Sequence, residues 1–254
     1  MSSTSFHKVL NSSKHIVALC GAGLSAESGI PTFRGEGGLW RQFSAIELAD
    51  PNAFKRNPSR VWQFYHYRRE LVMKKSRNRA HKALIEFSKK VNSAKPRTQT
   101  FSVITQNVDG LLTTSISDDV NGIDNLIEMH GTLFKTRCTA CGDIRSNRDS
   151  PIVPALQGNE DLSLDADIPL DQLPRCSLCT GLLRPHVVWF KESLDSMVFE
   201  KIQIELDRCD LMLVIGTSGT VYPAAGFASY IREKGGIVAN FNIEKMGEDA
   251  AFEL

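Results

Sequence analysis

The sequence predicts an α/β fold in which a parallel sheet carries helices on both faces and a smaller module is inserted. Three observations carry that prediction. Apolar, strand-like runs recur at 16–20, 101–105, 211–215 and 237–241. Helical patterns lie between them at 60–74, 80–90, 194–207 and 224–234. Strands alternating with helices imply a parallel sheet wrapped on both sides. Two stretches break the alternation: 36–75 is helix-rich and aromatic, and 136–181 is loop-rich and holds four of the six cysteines. The expected division is therefore a main domain from 1–35, 76–135 and 182–254, with 36–75 and 136–181 forming a small domain.

The first strand, His15 to Cys20, runs directly into Gly21-Ala22-Gly23-Leu24-Ser25-Ala26. Strand, glycine turn and helix start is how a parallel α/β sheet offers backbone N–H groups to a pyrophosphate. Gly21 suits the turn, Gly23 the approach of phosphates, and Ala26 the close packing of the helix. The run continues into Pro31-Thr32-Phe33-Arg34-Gly35, which an ordinary dehydrogenase loop does not need.

Polar residues follow the later strands. Thr105-Gln106-Asn107-Val108-Asp109 begins as the 101–105 run ends, and Glu128-Met129-His130-Gly131 follows the short run from Leu126. Gly216-Thr217-Ser218 and Asn242-Ile243-Glu244 close two more. In open α/β sheets ligands bind at the carboxyl ends of strands. Turn chemistry explains any one of these segments, and a structural histidine is the alternative for His130. Together they offer one sheet edge a set of ligand contacts.

Cys138/Cys141 and Cys176/Cys179 are two C-x2-C knuckles. Two such turns build a tetrahedral thiolate cage suited to one structural Zn(II) ion; redox work by the pairs is the alternative. Cys20 and Cys209 sit in apolar surroundings and read as small buried hydrophobes.

Composition excludes several classes. The 254 residues are 42% hydrophobic with a formal net charge of +1, which disfavours a nucleic-acid footprint. No run reaches the roughly 18 apolar residues of a membrane span. The start of the chain lacks an apolar signal region, so an intracellular protein is expected.

These motifs resemble the sirtuins, the NAD-dependent protein-lysine deacylases. The match comprises 21–35, Thr105-Gln-Asn-Val-Asp, Glu128-Met-His-Gly, both cysteine pairs, Leu183-Arg-Pro-His-Val-Val-Trp-Phe and Gly216-Thr-Ser, in the family order. The resemblance implies a Rossmann-like domain with a small zinc-ribbon and helical module. It implies that the acyl oxygen of an acyl-lysine attacks the NAD ribose and expels nicotinamide, leaving an alkylamidate. His130 then serves as general base on a ribose hydroxyl, with Asn107 and Asp109 beside it, and O-acyl-ADP-ribose is the product. Gly21, Ala22, Gly23, Ser25 and Ala26 would hold the pyrophosphate. Phe33 and Arg34 would close over the ribose, and Gln106, Asn107 and Asp109 would line the nicotinamide side. Gly216, Thr217, Ser218, Asn242 and Glu244 would take the adenosine end. Val187, Val188, Trp189 and Phe190 would pair with an extended substrate peptide.

Tyr65 and Arg68 stand three residues apart on one predicted helical face. An Arg fork with a Tyr hydroxyl can receive a carboxylate. The alternative is an aromatic core stripe with an Arg at its rim. Class III sirtuins carry Tyr-x-x-Arg at this place, so the resemblance implies removal of malonyl, succinyl and glutaryl groups, and a mitochondrial location. Ala49 is small enough to leave room for such a chain. A deacetylase or ADP-ribosyltransferase would share the cofactor site, and Tyr65 and Arg68 argue against it. Lys191 stands where relatives usually have Gly. Relatives also continue beyond the position of Leu254 to cover the adenine; the non-enzyme reading is an NAD- or peptide-binding module impaired by that difference.

Overall fold

In the computed structural model, residues 3–32, 39–40, 43–96, 98–113, 122–158, 167–243 and 252–253 are described. In chain order the elements begin with α1 (Ser3–Ser12), β1 (His15–Cys20), α2 (Gly23–Ala26), β2 (Leu39–Trp40) and β3 (Phe43–Ser44). Next come α3 (Ala45–Leu48), α4 (Pro51–Arg56), α5 (Pro58–Met73) and α6 (Arg79–Ser93). Then follow β4 (Thr100–Thr105), β5 (Leu126–Glu128), β6 (Gly131–Cys138), β7 (Ile144–Ser146) and β8 (Leu183–Val187). The chain closes with α7 (Ser196–Arg208), β9 (Leu211–Ile215), α8 (Phe227–Glu233), β10 (Ile237–Phe241) and β11 (Phe252–Glu253).

The main sheet has the order β11-β10-β9-β1-β4-β5, and its strand pairs are parallel. Central β1 explains its own apolar run. Ile16, Ala18 and Cys20 face a core with Phe6, Leu84, Ile85 and Phe101, contributed by α1, α6 and β4. Val17 and Leu19 face a second core with Ile202, Leu206, Phe227 and Ile231, from α7 and α8. A strand buried on both faces has no polar side to alternate with. β11 adds a strand that the sequence reading did not place.

A third core sits apart, where α4 and α5 pack on β6, β8 and the segment around Leu156 and Leu173. Caps set these helices: Asp50 accepts from Asn52 N ahead of α4, and Asn57 accepts from Arg60 N ahead of α5. Trp62 is fully buried and donates to Leu183 O at 2.8 Å, tying α5 to β8. The small antiparallel sheet, β7-β6-β8, includes 131–135 and 183–187. The sequence boundaries at 135/136 and 181/182 therefore need correction: one cuts through β6, and the other leaves β8 with the parallel sheet. Pro185 within β8 hides this strand in the sequence, and it is tolerated because β8 is an edge.

Candidate active site

The carboxyl ends of β1, β4, β9 and β10 converge, as the polar strand ends predict. Gly21 N donates to Ile215 O at 2.9 Å and Gly23 N to Gly216 O at 2.8 Å, so the loops after β1 and β9 are clipped together. The crossing gives both glycines a steric role beside the expected turn and phosphate approach. Neither has a positive φ. A Cβ on Gly21 would lie 2.7 Å from Gly216 O, and one on Gly23 would lie 2.8 Å from the same atom. Gly216 itself needs its left-handed conformation, φ 59°. Ala26 is exposed, so it does not pack the helix closely; Leu24 and Ser25 are the buried residues of α2. Ala22 is half-buried at the N-cap of that helix.

Beneath the loop lies a buried polar cluster. Ser25 Oγ donates to Asp109 Oδ2 at 2.7 Å, and Asn107 Nδ2 donates to Gly21 O at 3.0 Å and to Ser25 Oγ at 3.2 Å. His81 Nε2 lies 3.3 Å from the same hydroxyl. His81 was missed in the sequence. Its signal is the spacing Asn78-x-x-His81, since the two form a capping box at the start of α6. Burial lowers the His81 pKa against the opposing pull of Asp109.

The residues expected at the adenosine end join this cluster. Gln106 Nε2 donates to Thr217 Oγ1 at 3.0 Å, and Asn242 Nδ2 donates to Thr217 O at 3.0 Å. Ser218 is exposed beside them. Phe33, Arg34 and Glu244 lie outside the described residues.

His130 sits half-buried between β5 and β6, with Nδ1 3.1 Å from Gln106 O. A carbonyl partner assigns the hydrogen to Nδ1 and leaves Nε2 as an acceptor, the form a general base needs. Burial lowers its pKa, partly offset by the Gln106 carbonyl. Val188 N donates to His130 O at 2.9 Å, which brings the 187–190 segment alongside.

That segment alternates. Val187 and Trp189 are buried, while Val188 and Phe190 are half-buried. Trp189 thus departs from the expected peptide contact: it points into the third core, where its Nε1 donates to Tyr65 Oη at 2.9 Å. Phe190 N donates to Ala49 O at 2.9 Å, and Lys191 Nζ pairs with Asp50 Oδ2 at 2.7 Å. Lys191 holds a left-handed φ of 71°, a conformation that favours Gly.

Tyr65 and Arg68 are both buried on α5. Arg68 lines a cleft with Ile30, Trp40, Phe64 and Tyr67. Burial lowers its pKa, while Tyr65 and then Asp109 favour its charge. Arg68 is therefore electrostatically linked to the polar cluster through Asp109.

The cysteines converge as predicted. Their four Sγ atoms lie within 4.8 Å of one another, with Cys138–Cys179 at 3.5 Å and Cys141–Cys176 at 3.8 Å. A Zn–S bond of about 2.3 Å gives a tetrahedron edge of about 3.8 Å, so the group fits one zinc ion. Ala140 N and Cys141 N donate to Cys138 Sγ, and Leu178 N donates to Cys176 Sγ, which suits thiolate charge. Cys20 and Cys209 are buried, and burial pushes both thiols up, Cys209 to about 12.

Comparison with known proteins settles the family. The Sir2 family model matches residues 21–223. The chain belongs to the Sir2 family. It is 51% identical over 244 residues to the NAD-dependent protein deacylase sirtuin-5, mitochondrial, of Canis lupus familiaris, covering 94% of this chain and 76% of the relative. It is 52% identical over 244 residues to an NAD-dependent protein deacylase of Daphnia pulex, covering 94% and 86%. Among Sir2 structures, a Sir2 homologue–NAD complex aligns over 100% of this chain and 88% of its own, with TM-score 0.82 and 36% identity. A Sir2–p53 peptide–NAD+ complex aligns over 100% and 92%, with TM-score 0.75 and 26% identity. The parallel sheet with its helices is thus a Sir2 fold. Among the described residues no helix is long and apolar enough to cross a membrane.

Proposed function

We propose that this chain is an NAD-dependent protein-lysine deacylase that removes malonyl, succinyl and glutaryl groups. The deacylase reading is supported by relatives with that name at 51% and 52% identity. The acidic-acyl reading rests on one observation: Arg68 is buried on α5, one turn from Tyr65, with the Asp109 carboxylate favouring its charge. A buried guanidinium favours an acyl chain that ends in a carboxylate, and an acetyl group brings no such partner.

NAD supplies the ribose that receives the acyl group. Gly21, Ala22, Gly23 and Ser25 hold the pyrophosphate, with Ala26 at the exposed rim. Gln106, Asn107 and Asp109 orient the nicotinamide side, and Gly216, Thr217, Ser218 and Asn242 orient the adenosine side. His130 Nε2 takes a proton from a ribose hydroxyl. Phe33, Arg34 and Glu244 belong to the same proposal on family grounds. The substrate lysine reaches the site on an extended peptide along Val188 and Phe190, with Val187 and Trp189 behind them. Cys138, Cys141, Cys176 and Cys179 hold one structural Zn(II). The mitochondrial naming of the sirtuin-5 relatives supports that compartment.

Mass spectrometry of a succinyl-lysine peptide incubated with NAD tests the reading. The expected products are free lysine peptide, nicotinamide and O-succinyl-ADP-ribose. Nicotinamide with no succinyl-ADP-ribose would contradict acyl transfer.

A further inference from the structure

The Tyr65 hydroxyl is oriented from behind. Trp189 Nε1 donates to it across 2.9 Å, and both side chains are almost fully buried. An indole N–H donates only, so it occupies a lone pair of the phenolic oxygen and leaves the phenolic hydrogen to point elsewhere. Burial also raises the Tyr65 pKa, which keeps that hydrogen in place at neutral pH.

Trp189 is clamped in turn. The Arg184 guanidinium lies 3.5 Å from the centre of its ring. Arg184 forms a two-pronged pair with Glu192 at 2.6 and 2.8 Å, and it donates to Val187 O at 2.9 Å. Glu192 Oε2 also accepts the backbone N–H of Trp189 at 2.9 Å. Phe54 of α4 packs on the indole with ring centres 5.3 Å apart. The ring and backbone of Trp189 are thus fixed by one ion pair.

We propose that Trp189 is a positioning residue for acyl selectivity: its indole N–H fixes the Tyr65 hydroxyl as a donor toward the acyl chain, and the Arg184–Glu192 pair holds the indole in that orientation. This rests on the acidic-acyl reading above. Tyr65 and Arg68 then present donors, and a chain ending in a hydrogen-bond acceptor satisfies both. A terminal methyl gives the Tyr65 hydroxyl no acceptor, and a terminal ammonium meets it with another donor.

Trp189→Phe keeps an aromatic ring beneath Arg184 and removes the N–H. The test measures kcat and KM at saturating NAD for succinyl-lysine and acetyl-lysine forms of one peptide. It uses the unsubstituted chain, Trp189→Phe, Tyr65→Phe and the double variant. The KM for the succinyl peptide should rise about fivefold more than that for the acetyl peptide, as loss of one oriented hydrogen bond implies. KM should change more than kcat, and the double variant should be no worse than Tyr65→Phe alone, because Trp189 acts through Tyr65. Equal effects on both peptides, or additive effects of the two substitutions, would overturn the proposal. If Trp189→Phe does not fold, Glu192→Gln makes the same test, with a smaller shift in the same direction expected and no change in the succinyl-to-acetyl ratio overturning it. An unsubstituted chain that prefers acetyl-lysine overturns the acidic-acyl reading itself. A succinyl-to-acetyl ratio left unchanged by Trp189→Phe overturns the positioning role alone.

Discussion

The Ser25 hydroxyl donates to the Asp109 carboxylate across 2.7 Å, joining the glycine loop after β1 to the loop after β4. Both residues are buried, and Asn107 and His81 address the same hydroxyl. Ser25→Ala removes a shared partner from three polar groups, at a cost of about 1–3 kcal/mol. Urea unfolding should show a lower midpoint with an unchanged slope. NAD titration calorimetry on the same variant should show weaker binding. An unchanged midpoint and affinity would mean that the cluster contributes neither stability nor ligand orientation.

His130 sets the pH dependence. Its burial lowers the pKa, so the ring stays neutral, and able to accept a proton, to a lower pH than an ordinary histidine. Activity should therefore be present above that pKa and fall as pH drops through it, with the acid limb of kcat/KM below about 6.5. His130→Ala should lose about 10²–10⁴-fold in kcat. Stopped-time assays of O-acyl-ADP-ribose formation across pH check both. An acid limb above that value, or a variant with full turnover, would contradict the assignment.

The loop crossing makes a steric prediction. A Cβ at Gly23 meets the Gly216 backbone at 2.8 Å, and backbone cannot move aside as a flexible side chain can. Gly23→Ala should cost about 1–3 kcal/mol by overpacking and lower the melting temperature, as differential scanning calorimetry would show. A melting temperature equal to that of the parent chain would show that the two loops part easily.

Much of this was legible from sequence, and the exceptions have physical causes. The four long parallel strands announce themselves because burial on two faces leaves unbroken apolar runs such as 16–20 and 211–215. The cysteine pairs fix their own convergence. His81 is hidden because its link to Ser25 depends on where α6 docks, although Asn78 and His81 carry the capping spacing. β8 is masked by Pro185, and β6 by its mixed composition. In the sequence Trp189 reads only as part of a peptide-pairing segment. Only the alternation of 187–190 against α4 and α5 turns it inward to Tyr65.

The four clustered cysteines predict one zinc per chain. Elemental analysis of purified protein should return that ratio. Strong chelation should release the ion and loosen 131–187, seen as faster amide exchange there than in the parallel sheet. Zinc-free protein with unchanged exchange would contradict a structural site.

The most direct test of the central claim is kcat/KM for succinyl-lysine against acetyl-lysine in one peptide, with and without Arg68→Met. The account predicts a strong succinyl preference, and loss of the buried guanidinium should reduce the succinyl value by about 10-fold or more, collapsing the ratio. An acetyl preference in the parent chain, or a ratio indifferent to Arg68→Met, would contradict it.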